Sequence, residues 1–255
     1  MQKEITRRLA MAGIAALPVA TAAKTGGTDR LRVGDRLPRF DLLRPGAKTY
    51  LISAIKGDRH IATNVWRREI RFENGKLRIV QHWDGVGPDA PFVDRDSLFE
   101  MGTFRPSSHT RISEKAGQRM VEGFLFRDRD IVGLPGLAGN IRGDFSVASD
   151  EPMFNFETDM EMLGTLPWAP GYKVSIPFFH PAPGSVPARY LWICLGDEAL
   201  PGPDGRPLDC WIVGCDYNKG GAPTRFWFAK RTQQFVKLEG AGPDGTIHRK
   251  TLLWP

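Results

Sequence analysis

Alternating apolar and polar positions run along much of this 255-residue chain, and residues 66–83, WRREIRFENGKLRIVQHW, show the pattern most clearly. At their centre Asn74-Gly75 is the sequence of a two-residue hairpin turn, which needs φ > 0 at both positions. So short a loop sets the register: Glu73 faces Lys76, Phe72 faces Leu77, Ile70 faces Ile79, Arg68 faces Gln81 and Trp66 faces Trp83. Side chains alternate with period two, which puts Trp66, Ile70, Phe72, Leu77, Ile79 and Trp83 on one face. Arg67, Glu69, Arg71, Arg78, Val80 and His82 occupy the other. The pattern is that of a curved sheet with one buried side.

The same alternation predicts strands over 50–55 and 61–65 leading into this hairpin. A second hairpin is predicted from 110–114 and 119–126 around Lys115-Ala116-Gly117. Further strands are expected over 172–179, 188–195, 210–215, 224–229, 234–239 and 246–253. Residues 94–101 read as a short helix. Residues 155–163 read as another, with Asn155 as N-cap and with Glu157 and Asp159 in the first turn, where the helix dipole favours negative charge. Phe156, Met160 and Leu163 make its apolar stripe, Glu161 is expected to face solvent, and Gly164 and Pro167 end it. Gly-Pro-Asp recurs at 87–89, 202–204 and 242–244 without similarity in the flanks, so turn chemistry accounts for it rather than a repeat architecture. About eleven strands with so little helix between them make a mainly β, mostly antiparallel domain over 48–255, preceded by an arm at 23–47 with Val33, Leu37 and Phe40 as docking points.

The first 22 residues change the picture of where the protein works. Arg7-Arg8 precede an apolar run over 9–19, and Ala20-Thr21-Ala22 matches a signal-peptidase site, so cleavage is expected near Ala22 and the mature protein is expected in the periplasm. Thr6-Arg7-Arg8 matches a twin-arginine signal, with Ala10 a departure from it. The run falls short of the ~20 residues a membrane-spanning helix needs. Loss of Lys3, Arg7, Arg8 and Glu4 lowers the formal net charge from +6 to +4. What remains is interspersed, as in Arg127-Asp128-Arg129-Asp130, and does not form the basic stripe of a nucleic-acid binder. Of the three cysteines, Cys194 can pair with Cys210 or Cys215 across a hairpin in an oxidising compartment, or all three can be small buried residues.

From Asn155 onward the order of elements resembles the periplasmic lipoprotein-carrier superfamily and related exported proteins. The likeness rests on Phe156-Glu-Thr-Asp-Met-Glu-Met-Leu163, Leu166-Pro167, Gly171-Tyr172, Arg225-Phe-Trp-Phe-Ala-Lys230, Val236-Lys237-Leu238-Glu239 and Asp244-Gly245. It implies an unclosed β-barrel, a strongly curved antiparallel sheet covering short helices, with a concave face that holds an apolar or amphiphilic ligand such as a lipid. This chain is longer than a typical carrier and lacks the cysteine at the mature N-terminus of the membrane-anchored branch, so lipoprotein transfer itself does not carry over.

The candidates for lining such a cavity are Trp66, Trp83, Phe124, Phe126, Met160, Trp192, Trp211 and Trp227. The plainer expectation is that they fill the core. The histidines show no metal-ligand spacing and Gly133, Gly136, Gly139 and Gly143 do not fit a dinucleotide fingerprint, so neither metal nor cofactor is expected. A second function class is an exported hydrolase or isomerase in which Asp84, two residues from His82 on one strand face, orients its imidazole. Ser107-Ser108-His109 places serine beside histidine without the spatial arrangement of a triad. Glu157, Asp159 and Glu161 are an alternative acid pair. A third class is an accessory subunit that docks a partner through a long sheet edge.

Overall fold

The computed structural model describes residues 27–87, 90–182, 184–217 and 221–254. The export signal expected at 1–22, and Pro88-Asp89 of the first Gly-Pro-Asp turn, lie outside the described residues. The chain opens with β1 (Asp29–Arg30), β2 (Gly46–Lys56), β3 (Arg59–Glu73) and β4 (Lys76–Gly85). Asn74 and Gly75 take φ of 50° and 70°. The register across them is the one their two-residue turn requires, with Arg68 opposite Gln81 and Trp66 opposite Trp83.

The meander continues through β5 (Phe92–Glu100), β6 (Pro106–Lys115), β7 (Gln118–Phe126), β8 (Asp130–Gly133) and β9 (Ser146–Ala148). The turn between β6 and β7 is again two residues, Ala116-Gly117, both with positive φ. The helix expected over 94–101 is instead β5. Val93, Arg95, Ser97 and Phe99 alternate along it, and it is laddered to β4 on one side and β6 on the other. Two full ladders of backbone hydrogen bonds outweigh the weak local helical preference of so short a segment.

A short β10 (Phe154–Asn155) leads to a 3-10 turn, Phe156–Thr158, and to helix α1 (Asp159–Leu163). Asn155 caps this segment as expected, its side chain accepting from the Glu157 N–H at 3.0 Å. A second meander follows: β11 (Lys173–Phe179), β12 (Ala188–Pro201), β13 (Pro207–Cys215), β14 (Thr224–Ala229), β15 (Phe235–Ala241) and β16 (Ile247–Leu253). Pairing of β16 with β2, Leu252 opposite Tyr50, joins the two meanders into one sixteen-stranded sheet. The later Gly-Pro-Asp turns use one device: Asp204 accepts from the Arg206 N–H and Asp244 from the Thr246 N–H, each at 3.1 Å.

The sheet curls around α1 without closing. One end is β8–β9 and the other is β11 with β1 and β10, and no ladder joins them among the described residues. Side chains fill the seam instead. Phe179 of β11 lies 6.5 Å from Phe124, 6.3 Å from Phe126 and 6.0 Å from Phe145, ring centre to ring centre. The terminal strands are two or three residues long, so the sheet does not end in the long edge a docking subunit would offer. Leu37 and Phe40 of the N-terminal arm are buried, Phe40 packing on Phe72 and Phe104. No helix among the described residues is long and apolar enough to cross a membrane.

The three cysteines are free and buried. Cys194 lies opposite Val213 and Cys210 opposite Glu198, and a bulge between Cys194 and Gly196 shifts the register between them. The disulfide considered from spacing is therefore absent from this fold. Burial raises the thiol pKa values, that of Cys210 to about 11, so these are unreactive core groups.

Closure of the β8 end depends on backbone approach. A Cβ on Gly133 would stand 2.0 Å from the Arg142 carbonyl oxygen, whereas one on Gly143 would meet nothing nearer than 3.5 Å. Gly133→Ala is expected to cost ~1–3 kcal/mol and to lower the melting temperature by several degrees. Gly143→Ala is expected to stay within ~0.5 kcal/mol of the parent in the same thermal scan.

Candidate functional site

The concave face divides into two chemistries. Strands β11 to β15 present rings and aliphatic groups, among them Phe178, Trp192, Val213, Phe226 and Phe228, in one buried cluster. Strands β3 to β7 present charge. The alternation that turns Trp66 inward also turns Arg68 inward, with Gln81 across from it. Gln81 in turn lies opposite Arg95, Arg95 opposite Arg111, and Arg111 opposite Glu122. Arg68 and Gln81 are 3% and 0% exposed.

The plug supplies the opposite sign. Its three carboxylates sit at every second position and all turn into the barrel. Glu161 does not face solvent: it receives the Arg68 Nε–H at 2.6 Å and a second hydrogen bond from Arg68 Nη2. Arg68 also donates to the Glu157 carbonyl at 3.2 Å, which Gln81 Nε2 reaches at 2.8 Å. The side chain of Glu157 lies 3.1 Å from Arg95 and 3.7 Å from both Arg111 and His180. Because Arg111 belongs to β6 and His180 follows β11, this one carboxylate links β6 to the β11 end of the sheet from inside the barrel. Glu122 takes Arg111 at 2.6 Å and Arg142 at 2.8 Å on the same side.

Burial and charge set the protonation states. Burial would raise Glu157, but Arg95, the two histidines and Arg111 prevail and bring its pKa to about 2. Asp159 goes the other way: burial raises it to about 6 against the pull of Lys250 and Arg68. Lys250 is lowered by burial to about 8, although Asp159 favours its charged form. His109 is wholly buried, 2.8 Å from Ser97 Oγ through Nδ1, and burial lowers it to about 4. It is a neutral core histidine, too enclosed to meet a substrate.

A cavity of about 870 Å³ opens beside this ionic core, where β2 begins. Leu42, Leu43, Ile70, Met160, Phe235 and Trp254 contribute its apolar wall. Arg68 and Glu161 form a charged pair in it, and Arg44, Lys48, Arg206, Lys230 and Arg231 stand around it against Asp204 and Asp209.

The residues singled out from the sequence disperse in the fold. Met160 lines the cavity. Trp66, Trp83 and Trp192 pack in the main core on the concave face, and partly buried Trp211 joins them with Lys230 4.2 Å from its ring centre. Phe124 and Phe126 fill the seam. Trp227 belongs to a separate cluster, where its Nε1 donates to Glu198 at 2.7 Å and Lys237 covers its ring at 4.1 Å. His82 and Asp84 do meet, at 3.3 Å, but on the outer face, with His82 also 2.7 Å from Asp94. They are 37% and 58% exposed and are not among the residues that line the cavity. Arg68, Gln81, Arg95, Glu157 and Glu161 were not among the sequence candidates. The hairpin register carries the signal for two of them, because it places Arg68 and Gln81 on the face of Trp66.

Breaking the buried pair from one side leaves a charge without a partner. Arg68→Met is expected to cost ~3–5 kcal/mol in denaturant unfolding, and Arg68→Met with Glu161→Leu to recover much of it. A histidine held below its unfolded pKa loses stability as pH falls from the unfolded value, near 6.5, toward the folded value, about 4. A difference of that size is worth on the order of 3 kcal/mol. His109→Gln is expected to flatten that stretch of the stability–pH curve, measured by urea unfolding from pH 7 to pH 4.

No curated protein matches this chain. The chain is similar to a solved structure described as a beta-barrel-like protein of domain of unknown function DUF1849 from Brucella abortus. The two are 10% identical, with a TM-score of 0.49, over 83% of this chain and 96% of the other. A family model described as "Protein of unknown function (DUF3108)" matches residues 49–247, well over half of the sequence. The chain therefore belongs to the DUF3108 family.

Proposed function

We propose that this is an exported, periplasmic protein that binds an apolar or amphiphilic molecule, lipid or lipid-like, on the concave side of its open barrel. The observation that carries the reading is the cavity of about 870 Å³ with an apolar wall and a basic rim. Its size falls within the ~300–1,000 Å³ range of small-molecule sites. Its wall suits a hydrocarbon chain, each buried methylene being worth about 0.8 kcal/mol. Among the charged residues lining it, six are basic and three acidic, and Glu161 is already committed to Arg68. The surplus favours an anionic head group at the mouth, where Arg44, Lys48 and Arg231 can offer charge-assisted hydrogen bonds. The likeness of the closing strands to lipoprotein carriers, and the cleavable signal read at residues 1–22, support the same reading. Binding rather than catalysis is proposed because the interior histidine His109 is buried and the His82–Asp84 pair lies outside the cavity.

Native mass spectrometry of protein recovered from the periplasm of cells producing the full chain tests this directly. The expected result is a mass lacking residues 1–22 and carrying an extractable apolar or amphiphilic adduct. A full-length cytoplasmic product, or a protein that arrives bare and binds no long-chain amphiphile in vitro, would sink the proposal. Ile70→Glu, which puts a charge in the apolar wall, is expected to weaken binding of a fluorescent hydrophobic probe by tenfold or more.

A further inference from the structure

Among the described residues, several buried hydrogen-bond donors have no partner, and four of these atoms lie on adjacent strands of the charged half. Trp66 Nε1, Trp83 Nε1, and Nε and Nη1 of Arg95 are buried without a hydrogen-bond partner among the described residues. Trp66 lies opposite Trp83 on β3 and β4, with ring centres 4.8 Å apart. Arg95, on the next strand, brings its guanidinium carbon to 4.6 Å from the Trp83 ring centre. Lys250 comes to the same spot from β16, its Nζ 4.5 Å from the centre of Trp66 and 5.8 Å from that of Trp83. The ammonium meets two ring faces, and Asp159 is the carboxylate that acts on it most strongly.

Folded proteins leave few buried polar groups unpaired, because each forfeits its hydration with nothing in return. Two indoles and a guanidinium side by side are an exception that asks for an acceptor from outside the chain. The resident acceptors do not serve. Gln81 Oε1, the unpaired acceptor beside Arg95, is itself without a partner. Glu157 is 3.1 Å from Arg95 Nε but off the line of a hydrogen bond, and it is shared with Arg111 and His180. Indole, guanidinium and ammonium groups donate and cannot accept. Glu157 and Asp159 balance the two cations in part, but the unpaired N–H groups remain; a neutral water could answer one of them, whereas an oxyanion offers several lone pairs at once.

We propose that Trp66, Trp83, Arg95 and Lys250 form an internal binding site for an oxyanion, a phosphate or carboxylate group. The group arrives as a free ion or as the head of a larger molecule. The site adjoins the cavity without sharing its lining residues: Ile70 and Arg68 line the cavity, and the Arg68 guanidinium lies 4.3 Å from the ring centre of Trp66.

Three probes tested on the full folded protein separate the sources: inorganic phosphate, hexadecyl phosphate and uncharged hexadecanol. Binding is read by calorimetry and tryptophan fluorescence at fixed ionic strength. At least one of the two phosphates is expected to bind. Lys250→Met is expected to weaken that binding more than tenfold, and Trp83→Phe, which keeps the ring and removes the N–H, about three- to tenfold. Hexadecanol binding is expected to be the same in all three proteins. Binding of inorganic phosphate assigns the site to a free oxyanion, and binding of hexadecyl phosphate alone assigns it to a head group. If neither phosphate binds, or if both variants bind as the parent does, the proposal is overturned. Hexadecanol bound without any preference for the phosphates would remove this site and leave the cavity reading standing. Phosphate binding without hexadecanol binding would do the reverse. Thermal unfolding of each variant shows that it is folded, and Trp83→Phe, the smaller change, decides the matter if Lys250→Met is not.

Discussion

The fold hangs on pairing the carboxylates of a short internal plug with the arginines of the sheet around it. A helix of five residues has no independent stability. It keeps its shape because Met160 and Leu163 pack into the apolar half of the barrel and Glu157 and Glu161 meet Arg95, Arg111 and Arg68 in the charged half. Neither side can be emptied alone, since a lone charge in that interior costs far more than the pair. The pairing sets the position of the plug along the barrel, and the plug sets the depth of the cavity beside it.

The same interactions explain how an unclosed sheet can be well defined. A barrel closed by hydrogen bonds has no edges to protect. Here the edges face each other across a seam of phenylalanines, and Glu157 links Arg111 of β6 to His180 at the β11 end from inside the barrel. Very short terminal strands leave little unpaired backbone on either side. The interior then has an aromatic half and an ionic half.

Much of the architecture was legible in the sequence. Asn74-Gly75 set the first hairpin to the residue, because a two-residue turn allows only one register. Alternation located the strands of the second meander within a residue or two at most ends, and the Asn155 cap located the plug. The polar interior was half legible: Arg68 and Gln81 share a face with Trp66 by register alone, but an arginine between apolar neighbours reads as a solvated residue unless something is known to meet it. Residues 94–101 were opaque because their pattern is too short to separate a helix turn from a strand, and with them went the inward direction of Arg95 and Ser97.

By itself, then, the sequence determined the strand-rich class, the register of the first hairpin, the capped plug and the turn chemistry of Gly-Pro-Asp, since each depends on residues close together along the chain. Only the tertiary structure decided that β16 joins β2, that the sheet stays open at β9 and β11, and that Glu161 turns toward Arg68 rather than solvent. It also placed His82 and Asp84 outside and gathered Trp66, Trp83, Arg95 and Lys250 inside. Apart from His82 and Asp84, these are contacts between residues from about a dozen to about two hundred positions apart. Local propensity carries no information about them, and the curvature of the sheet is what brings them within reach.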